Sequence, residues 1–163
     1  MIRKLHHSAY RCRDSEETRR FYEDFLGLRL AGSLWISETK TGRSTSVLHT
    51  FYELDNGAYI AFFEEPDTPF EFKPQRDFDL HIALEVDESV LEPMLEKGRL
   101  AGLETRGVSD HGFIHSIYFR DPNGYVVELA ARMPNHAQAM DPTRNDARAI
   151  LDRWQASKAV LSR

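Results

Sequence analysis

Stretches in which hydrophobic and polar residues alternate occur at two places in the chain, and each begins with a histidine. His7–Asp14 and His81–Asp87 share one frame, 74 residues apart. Alternation with a period of two is typical of a β-strand with one packed face and one open face. The second strand has Ile82, Leu84 and Val86 on the predicted packing face and His81, Ala83 and Glu85 on the other. The chain therefore contains an internal repeat whose first element is a strand.

A helix is predicted directly after each of these strands. Asp14 and Ser89 each have a glutamate three positions later, which is typical of a helix start, and the Ser89 pattern is a capping box. Apolar residues then recur at helical spacing, at Phe21, Tyr22, Phe25 and Leu26 in the first half and at Val90, Leu91, Met94 and Leu95 in the second. Gly27 and Gly98 are the predicted ends of the two helices.

Each helix is followed by strand-like runs, and the last two runs of each half are joined by an Asn-Gly pair. Asn56-Gly57 separates 48–54 from 58–63, and Asn123-Gly124 separates 114–119 from 125–130. Asn-Gly is a strong hairpin signal, since both residues tolerate positive φ. Residues 40–46 are predicted to form a polar loop that could hang over a cavity. Each half thus has the order β-α-β-β-β, which predicts an α+β fold.

Proline and helix signals divide the chain into parts. Module one is predicted to cover about residues 1–65, followed by a proline-containing linker at 66–77 and module two at 78–132. Residues 133–163 fall outside the repeat, and Asp141-Pro142 is the predicted start of a C-terminal amphipathic helix. The apolar face of that helix consists of Ala147, Ile150, Leu151, Trp154 and Leu161. That face is expected to pack either on the domain or on a second subunit.

Composition excludes several classes of function. The chain has 163 residues, of which 41% are hydrophobic, and 21 Lys and Arg against 26 Asp and Glu give a net charge of −5. Because the basic residues are scattered, a nucleic-acid binder held by phosphate contacts is not expected. No run of about 18 apolar residues occurs, so membrane insertion is not expected. Cys12 is the single cysteine, which excludes an internal disulfide and favours the reducing cytoplasm.

Two histidines and one glutamate are the candidate ligands of a divalent metal. If the two repeats pack with pseudo-symmetry, His7 and His81 meet on the concave side of a curved sheet. Glu128 is an isolated carboxylate amid apolar residues of the last strand, and burying it without a partner would be costly. Each of the three residues, taken alone, is more readily explained as structural. The matching positions of the two histidines favour a metal site, with His7 preferred over His6 because only His7 matches His81.

Four segments resemble the vicinal oxygen chelate superfamily. They are His7–Asp14, the helix Phe21–Leu28, the strand His81–Val86 and the run Tyr118–Leu129 with its Asp121-Pro122-Asn123-Gly124 turn. This superfamily includes glyoxalase I, extradiol ring-cleaving dioxygenases, methylmalonyl-CoA epimerase, fosfomycin-resistance thiol transferases and bleomycin-binding proteins. The resemblance covers roughly residues 1–132. It implies paired βαβββ modules that form a curved, cup-shaped mixed sheet around a divalent metal, but it does not fix the reaction.

The number of ligands separates reactions within this superfamily. Glyoxalase I-like members usually have a fourth ligand, a carboxylate on the last strand of the first module. The corresponding residue here is Ala61, or Phe62 with a one-residue insertion, and neither can bind a metal. Glu64 and Glu65 lie further along the strand. Two histidines and one carboxylate are typical of non-haem Fe(II) oxygenases, although Mn, Zn and Ni tolerate the same ligands.

A second resemblance concerns extradiol dioxygenases. His111, Tyr118, the Asp121–Gly124 turn and Glu128 reproduce the spacing of their motif, while Ser109 departs from the residue types that usually precede the histidine. By this resemblance Tyr118 would hydrogen-bond a substrate oxygen. His111 would orient or protonate the bound catecholate or its oxygenated intermediate.

Several aromatic residues of the first module could contact a ring substrate. Phe51, Phe62 and Phe63 are candidates for such an apolar lining, although each is also an ordinary candidate for the sheet core. His49 is a weaker catalytic candidate on a strand that faces the presumed cavity. The favoured function is therefore a Fe(II)-dependent extradiol-type dioxygenase that acts on a catechol-like vicinal diol with O2.

Two other functions remain open. The first is a lyase or isomerase of the glyoxalase or epimerase kind, which acts through a metal-bound enediolate; here Glu64 or Glu65 would reach the metal or act as base. The second is a non-enzymatic antibiotic-binding protein, in which metal ligands are normally absent. Two-module chains of this superfamily commonly dimerise, so a homodimer is expected.

Overall fold

The first half of the chain forms a four-stranded mixed sheet. The computed structural model describes the backbone of residues 1–161 and the side chains as far as residue 158. The strands are β1 (His7–Arg11), β2 (Arg29–Glu38), β3 (Ser44–Glu53) and β4 (Tyr59–Glu64), in the spatial order β1-β4-β3-β2. β1 runs parallel to β4, whereas β3 is antiparallel to both β4 and β2.

One helix covers one face of this sheet. Helix α1 (Ser15–Arg19) continues as a π-helical segment (Arg20–Phe25). The Asp14 carboxylate caps it by accepting a hydrogen bond from the Glu17 N–H at 2.8 Å, as the sequence predicts. Gly27 has a φ of +86° just beyond its end, as expected for a helix-terminating glycine. The fully buried Tyr22 ring lies 4.7 Å from that of Phe62 on β4 and so anchors the helix to the sheet.

The second half repeats this order. Its elements are β5 (His81–Glu85), α2 (Glu88–Leu100), β6 (Thr105–Asp110), β7 (Ile114–Arg120) and β8 (Val126–Arg132), with the strands in the order β5-β8-β7-β6. In β5, Ile82 and Leu84 are buried, while His81, Ala83 and Glu85 are exposed, as predicted. The predicted α+β class and the two βαβββ modules are therefore confirmed.

Both ends of α2 differ from the prediction. The helix begins at Glu88, so Ser89 lies inside it and the predicted capping box is wrong. Asp87 occupies the capping position without making a side-chain cap. The helix also continues past Gly98, which is buried, and stops at Leu100. Gly102, with a φ of +69°, adopts the conformation that was expected of Gly98.

The two Asn-Gly hairpins have the same backbone conformation. Gly57 and Gly124 have φ of +71° and +96°, but no residue other than glycine has positive φ in the described chain. The N–H of each glycine donates to the carbonyl three residues earlier, that of Leu54 or Asp121. The Asn residues therefore occupy ordinary turn positions. Only the glycine needs the left-handed region.

The β2–β3 loop is shorter than predicted. Residues 39–43 form it, and its ends are joined by the Thr39 N–H and the Arg43 carbonyl at 2.9 Å. Residues 44–46 already belong to β3, because they pair with the end of β2. The polar stretch thus extends a hairpin and does not form a wide loop.

A helix is present in the C-terminal extension, and it begins later than predicted. A short helix, α3 (His136–Ala139), is followed by a turn and by α4 (Ala147–Leu161). Asp141 caps this turn by accepting hydrogen bonds from the Thr143 N–H and hydroxyl, so it does not begin α4. Ile150, Leu151 and Trp154 are exposed on α4. The side chain of Leu161 lies outside the described residues.

Contacts divide the chain into two compact units. One comprises residues 1–82 and 119–127, and the other comprises residues 83–118 and 128–163. The second Asn-Gly turn belongs to the first unit, because Asn123 Oδ1 accepts from the Arg13 N–H at 2.8 Å and the Tyr125 hydroxyl donates to the Arg11 carbonyl at 2.9 Å. No helix among residues 1–161 is long and apolar enough to cross a membrane.

Candidate active site

The open face of the first sheet carries histidines and aromatic rings. β4 lies between β1 and β3, and the register pairs His7 with Tyr59 and His49 with Phe63. Paired residues project from the same face and alternate residues share a face, so His7, His49, Phe51 and Phe63 lie together opposite α1. The Phe51 ring centroid is 5.7 Å from that of His7 and 4.1 Å from that of His49. His49 thus lies on the same face as His7, a predicted ligand.

Packing and a hydrogen bond hold His49 in place. Its ring stacks on Phe63 with centroids 3.6 Å apart and planes 10° apart, and its Nδ1 lies 2.9 Å from the Phe62 carbonyl oxygen. His7 is more exposed, and its ring centroid is 6.2 Å from that of His49. Its Nδ1 lies 2.8 Å from Nδ1 of His6, so one of these rings donates a hydrogen bond to the other.

Phe62 lies on the opposite face from the other two predicted lining residues. Its side chain is fully buried against the rings of Tyr22, Tyr52 and Tyr10 on the helix side of the sheet. The prediction that Phe62 lines the cavity is therefore wrong. Phe63 is adjacent to Phe62 in β4, so its side chain projects from the opposite, open face of the sheet, as does that of Phe51 on β3.

The second sheet contains a continuous chain of hydrogen bonds. Glu128 on β8 is only 5% exposed, and its Oε1 accepts hydrogen bonds from the Ser116 hydroxyl and, at 3.3 Å, from the Tyr118 hydroxyl, both on β7. The Tyr118 hydroxyl also lies 2.8 Å from Nε2 of His111. Two of the three predicted catalytic residues and one predicted ligand therefore meet in one network.

Burial and charge raise the pKa of Tyr118 in this network. Burial of the Tyr118 ring, together with the negative charge of Glu128, raises the pKa of the phenol above its usual value of 10.0. The hydroxyl therefore keeps its proton near neutral pH and acts as a donor. Ser116 and Tyr118 together compensate part of the cost of burying the Glu128 carboxylate.

His81 is the first residue of β5 and is exposed. Its Nδ1 lies 2.7 Å from the Asp77 carbonyl oxygen, which directs the proton to Nδ1 and the lone pair to Nε2. Metal-binding histidines usually have such a partner. Arg132 on β8 and Glu85 on β5 form an ion pair at 2.6 Å, so Arg132 lies on the same face of the sheet as the exposed residues of β5. Because residues alternate, Glu128 projects from that same side.

Hydrogen bonds at the strand ends show which residues of the two halves correspond. The Cys12 N–H donates to the Phe63 carbonyl in the first half, and the Val86 N–H donates to the Ala130 carbonyl in the second. Ala61 lies two residues before Phe63 on β4, and Glu128 lies two residues before Ala130 on β8. Ala61 is therefore the counterpart of Glu128. The predicted first-module counterpart is therefore a fully buried alanine, without a ligating group.

Both glutamates that follow Ala61 have structural partners. Glu64 Oε2 accepts from the Ser15 N–H at 2.7 Å, on the side of the sheet that faces α1. Glu65 Oε2 lies 3.2 Å from Arg11 Nη1, and Oε1 of Glu65 lies 4.0 Å from Arg43 Nη2. The first carboxylate caps a helix and the second is paired with two guanidinium groups.

The donor types of His7, His81 and Glu128 suit a divalent metal, because neutral imidazoles and a carboxylate are common ligands of iron, manganese and zinc. The buried, hydroxyl-supported carboxylate of Glu128 is also what a ligating glutamate requires. Within residues 1–161, no three His, Cys, Asp or Glu side chains lie together in a group that could hold a metal ion. The chemistry of the donors fits a metal, and the ligand set stays a prediction.

Two residues of the second sheet add to the predicted set. Ser116 shares a face with Tyr118, and its hydroxyl bonds directly to Glu128. The guanidinium carbon of Arg106 lies over the Tyr118 ring, 4.4 Å from its centroid. Strand alternation indicates the face of Ser116, but the pairing of Arg106 with Tyr118 depends on neighbours in the sheet that no local pattern identifies.

Comparison with known proteins agrees with this architecture. A model of the Glyoxalase/Bleomycin resistance protein/Dioxygenase superfamily matches residues 4–129. A glyoxylase/bleomycin resistance protein/dioxygenase domain from Frankia sp. EAN1pec is 19% identical with a TM-score of 0.64, and the match covers 82% of this chain and 100% of that one. A glyoxalase/dioxygenase from Nostoc punctiforme is 22% identical with a TM-score of 0.61, covering 80% and 92% of the two chains.

A third solved structure contains a metal. It is a mutant of the fosfomycin resistance protein FosX from Listeria monocytogenes, complexed with Mn(II) and 1S,2S-dihydroxypropylphosphonic acid. It is 23% identical with a TM-score of 0.58, and the match covers 84% of this chain and 98% of that one. At these identities the likeness concerns the fold alone.

Proposed function

Because the chain belongs to the glyoxalase/bleomycin resistance protein/dioxygenase superfamily, we propose that it is a metal-dependent enzyme that opens the ring of a catechol-like vicinal diol with O2. The observation that carries this proposal is the hydrogen-bonded chain from His111 through Tyr118 to Glu128. A phenol and an imidazole at hydrogen-bond distance, next to a buried carboxylate, are groups that can orient a diol and move its protons, as an extradiol-type dioxygenase needs.

We assign His7, His81 and Glu128 as the ligands of the metal, with Fe(II) preferred over Mn, Zn or Ni. When bound, the metal would supply Lewis acidity that favours ionisation of the diol, and open coordination positions for the diol and O2. Manganese is the natural comparison metal, since the FosX protein of similar fold was solved with Mn(II).

The residues of the second sheet have distinct roles in this proposal. The Tyr118 hydroxyl donates a hydrogen bond to a substrate oxygen next to Glu128, because its raised pKa keeps it protonated. His111, whose Nε2 lies 2.8 Å from that hydroxyl, orients or protonates the bound catecholate or its oxygenated intermediate. Ser116 orients the Glu128 carboxylate through its hydroxyl. His49 is a positioning residue, since it is stacked and hydrogen-bonded beside His7.

The environments of Glu64 and Glu65 weigh against the lyase or isomerase alternative. That mechanism requires one of these carboxylates as a ligand or base, but Glu64 caps the Ser15 N–H and Glu65 is paired with Arg11. An antibiotic-binding protein would have no need of a buried carboxylate supported by two hydroxyl groups. We therefore rank both alternatives below the dioxygenase.

The proposal is tested by anaerobic reconstitution with Fe(II), followed by O2-uptake measurements with a panel of catechols. We expect O2 consumption equimolar with ring-opened product for at least one catechol, and much less in the Mn, Zn and Ni proteins. No uptake with any catechol, together with proton exchange or isomerisation by the Zn or Ni protein, would support the lyase or isomerase. Protein purified without chelators that contains no metal and binds antibiotic would support the binding protein.

Three further expectations belong to this proposal. We propose a homodimer, which the exposed apolar residues Ile150, Leu151 and Trp154 on α4 favour. We propose that residues 1–132 form the catalytic domain and that 133–163 are an extension, and that the protein acts in the cytoplasm. Sedimentation of the full chain and of a chain ending at residue 132 tests the first two. A monomeric full chain would contradict the dimer, and loss of folding in the shorter chain would contradict the division.

A further inference from the structure

His6 stands directly beside a predicted ligand and has no role in the proposed reaction. Its Nδ1 lies 2.8 Å from Nδ1 of His7, and the two rings meet edge to face with centroids 5.1 Å apart. The His6 carbonyl accepts a hydrogen bond from the Tyr59 N–H on β4 at 3.0 Å. The backbone of His6 is therefore fixed to the first sheet just before β1 begins, with its ring against that of His7.

The ring of His7 is contacted by Phe51 as well. The two centroids are 5.7 Å apart and the planes are inclined at 69°. A phenylalanine side chain has no polar atom, so this contact supplies packing alone. Among the side chains described, up to residue 158, His6 is the hydrogen-bond partner of the His7 imidazole.

The hydrogen bond between the two rings decides which nitrogen of His7 can face a metal. A neutral imidazole has one N–H and one lone pair, and it binds a metal through the lone pair. Because Nδ1 of His7 faces His6, Nε2 is the nitrogen left for a metal. In that tautomer Nδ1 of His7 donates the hydrogen bond, and Nδ1 of His6 accepts it.

The other predicted histidine ligand is oriented through the same atom. Nδ1 of His81 lies 2.7 Å from the Asp77 carbonyl oxygen. Equivalent histidines of the two modules thus have an acceptor at Nδ1, a backbone carbonyl in one module and an imidazole in the other. Partners of this kind fix the tautomer and the ring orientation of a ligand and raise its basicity.

We propose that His6 is a positioning residue for the metal: it accepts a hydrogen bond from Nδ1 of His7 and thereby presents Nε2 of His7 as the ligand atom. This inference rests on the proposed function through the assignment of His7 as a ligand, and it does not depend on the reaction. It gives a role to the histidine that the repeat excludes as a ligand, since only His7 matches His81.

The test measures the affinity of the full chain for Mn(II), from the electron paramagnetic resonance signal of free Mn(II) and without substrate. His6→Phe keeps a ring but removes the acceptor, so binding should weaken by about 10-fold to 100-fold, the usual cost of losing such a partner. His6→Asn keeps an acceptor, because its amide oxygen can take the place of Nδ1, and should recover most of this loss.

Two other variants are the references for these results. His7→Phe removes a ligand and should weaken Mn(II) binding more than His6→Phe does. His136→Phe is the matched control, because His136 belongs to α3, packs near Phe113 and is not a predicted ligand. It should bind Mn(II) like wild type. The metal-free His6 variants should unfold at the temperature of the wild type, since His6 is exposed.

Other results overturn the inference. Unchanged affinity in His6→Phe would show that His7 needs no such partner, and equal losses in His6→Phe and His6→Asn would mean that the imidazole acts as a ligand or by packing. Lower unfolding temperatures of both metal-free variants would make the role structural. A wild-type chain that does not bind Mn(II), or a His7→Phe chain that binds it normally, would remove His7 from the ligands. Failure of the dioxygenase proposal is distinguishable, since Mn(II) binding would still depend on His6 while the Fe(II) protein consumes no O2.

Discussion

The open faces of the two sheets are built on one plan but carry different chemistry. Ala61 in the first sheet corresponds to Glu128 in the second. Phe51 and Tyr118 each lie six residues before their hairpin glycine, and His49 and Ser116 each lie eight residues before it, so these pairs also occupy equivalent positions. The first face therefore holds stacked rings beside His7. The second holds a hydrogen-bonded carboxylate, phenol and imidazole. The two sheets thus share one backbone arrangement, while this hydrogen-bonded acid–base network lies in the second.

The two hairpins show the same division between backbone and side chain. Both have glycine in the left-handed region and the same turn hydrogen bond. In the first hairpin Asn56 Oδ1 bonds only to the nearby Ala58 N–H. In the second, Asp121 accepts from Tyr22, Asn123 and Tyr125 at 2.8–3.1 Å and is buried. The long-range hydrogen bonds of the first turn, from Lys4 Nζ to the Asn56 and Gly57 carbonyls, are exposed, whereas that of the second, from Tyr22, reaches the buried Asp121.

The largest effect is expected when the second face loses the charge of Glu128, because the first face has an alanine at the equivalent position. Glu128→Gln keeps the shape of the side chain but removes the anionic ligand, so bound iron and ring-opening activity should both fall by more than about 100-fold, since loss of even an outer partner costs that much at many metal sites. Metal analysis and O2 uptake measure this. Glu64→Gln is the control, because Glu64 caps α1 and should leave iron binding intact.

A folded Glu128→Gln protein that keeps its iron would show that Glu128 is not a ligand. In that case the carboxylate would serve Tyr118 and Ser116 alone, and the difference between the two faces would be structural. Loss of iron in Glu64→Gln instead would assign the metal to the first module, as the lyase alternative requires.

The next effect comes from giving the second face the phenylalanine of the first. Tyr118→Phe removes the hydroxyl that links His111 to Glu128, so kcat should fall about 100-fold or more, the usual contribution of general acid–base catalysis. Iron binding should change little. Tyr52→Phe is the matched control: the buried Tyr52 hydroxyl has no hydrogen-bond partner within residues 1–161, and its removal should be neutral or stabilising. Equal kcat in the wild-type and Tyr118→Phe proteins would remove Tyr118 from the mechanism.

A third prediction concerns stability and the two hairpins. Asp121→Leu installs the residue found at the equivalent position, Leu54, and leaves the buried donors of Tyr22, Asn123 and Tyr125 without an acceptor. The free energy of unfolding should fall by about 3 kcal/mol or more, because each such donor costs about 1–3 kcal/mol. Asp55→Ala, at the exposed first hairpin, should change it by less than about 0.5 kcal/mol. Denaturant titration measures both, and equal effects would show that the two turns are equivalent.

The smallest effect concerns the two helix starts. Asp14 caps α1 through the Glu17 N–H, whereas Asp87 makes no such bond at the start of α2. Asp14→Ala should therefore destabilise the protein by about 1 kcal/mol and Asp87→Ala by much less. Thermal unfolding of the pair checks this. An equal loss in both variants would mean that Asp87 caps its helix in solution.

Much of the fold is predictable from the sequence because the repeat supplies the same strand, helix and turn signals twice. His81 and Glu85 fall on the exposed side of β5 as alternation requires. Errors occur where two residues of similar propensity compete within a few positions. Ser89 lies two residues after Asp87, and Gly98 lies four before Gly102, and burial of Gly98 lets the helix continue past it.

The candidate site is predictable in part. Tyr118, His111 and Glu128 follow from a spacing motif, and the structure brings them together. Phe62 and Phe63 are adjacent in β4, so alternation alone shows that they cannot both line one face, and the pairing of β4 with β1 and β3 shows that Phe63 is the one on the face of His7. Arg106 could not be found, since its contact with Tyr118 joins residues 12 positions apart on different strands. The gathering of His7, His81 and Glu128 around one metal remains a prediction.

Product analysis with isotope-labelled O2 tests the central claim most directly. The Fe(II) protein is incubated with a catechol under labelled O2, and the product is examined by mass spectrometry. We predict a ring-opened product that contains both atoms of one O2 molecule, and its loss in Tyr118→Phe and Glu128→Gln. A product without label, or an intact ring with only a moved proton, would contradict the account and place the protein among the lyases or isomerases of its superfamily.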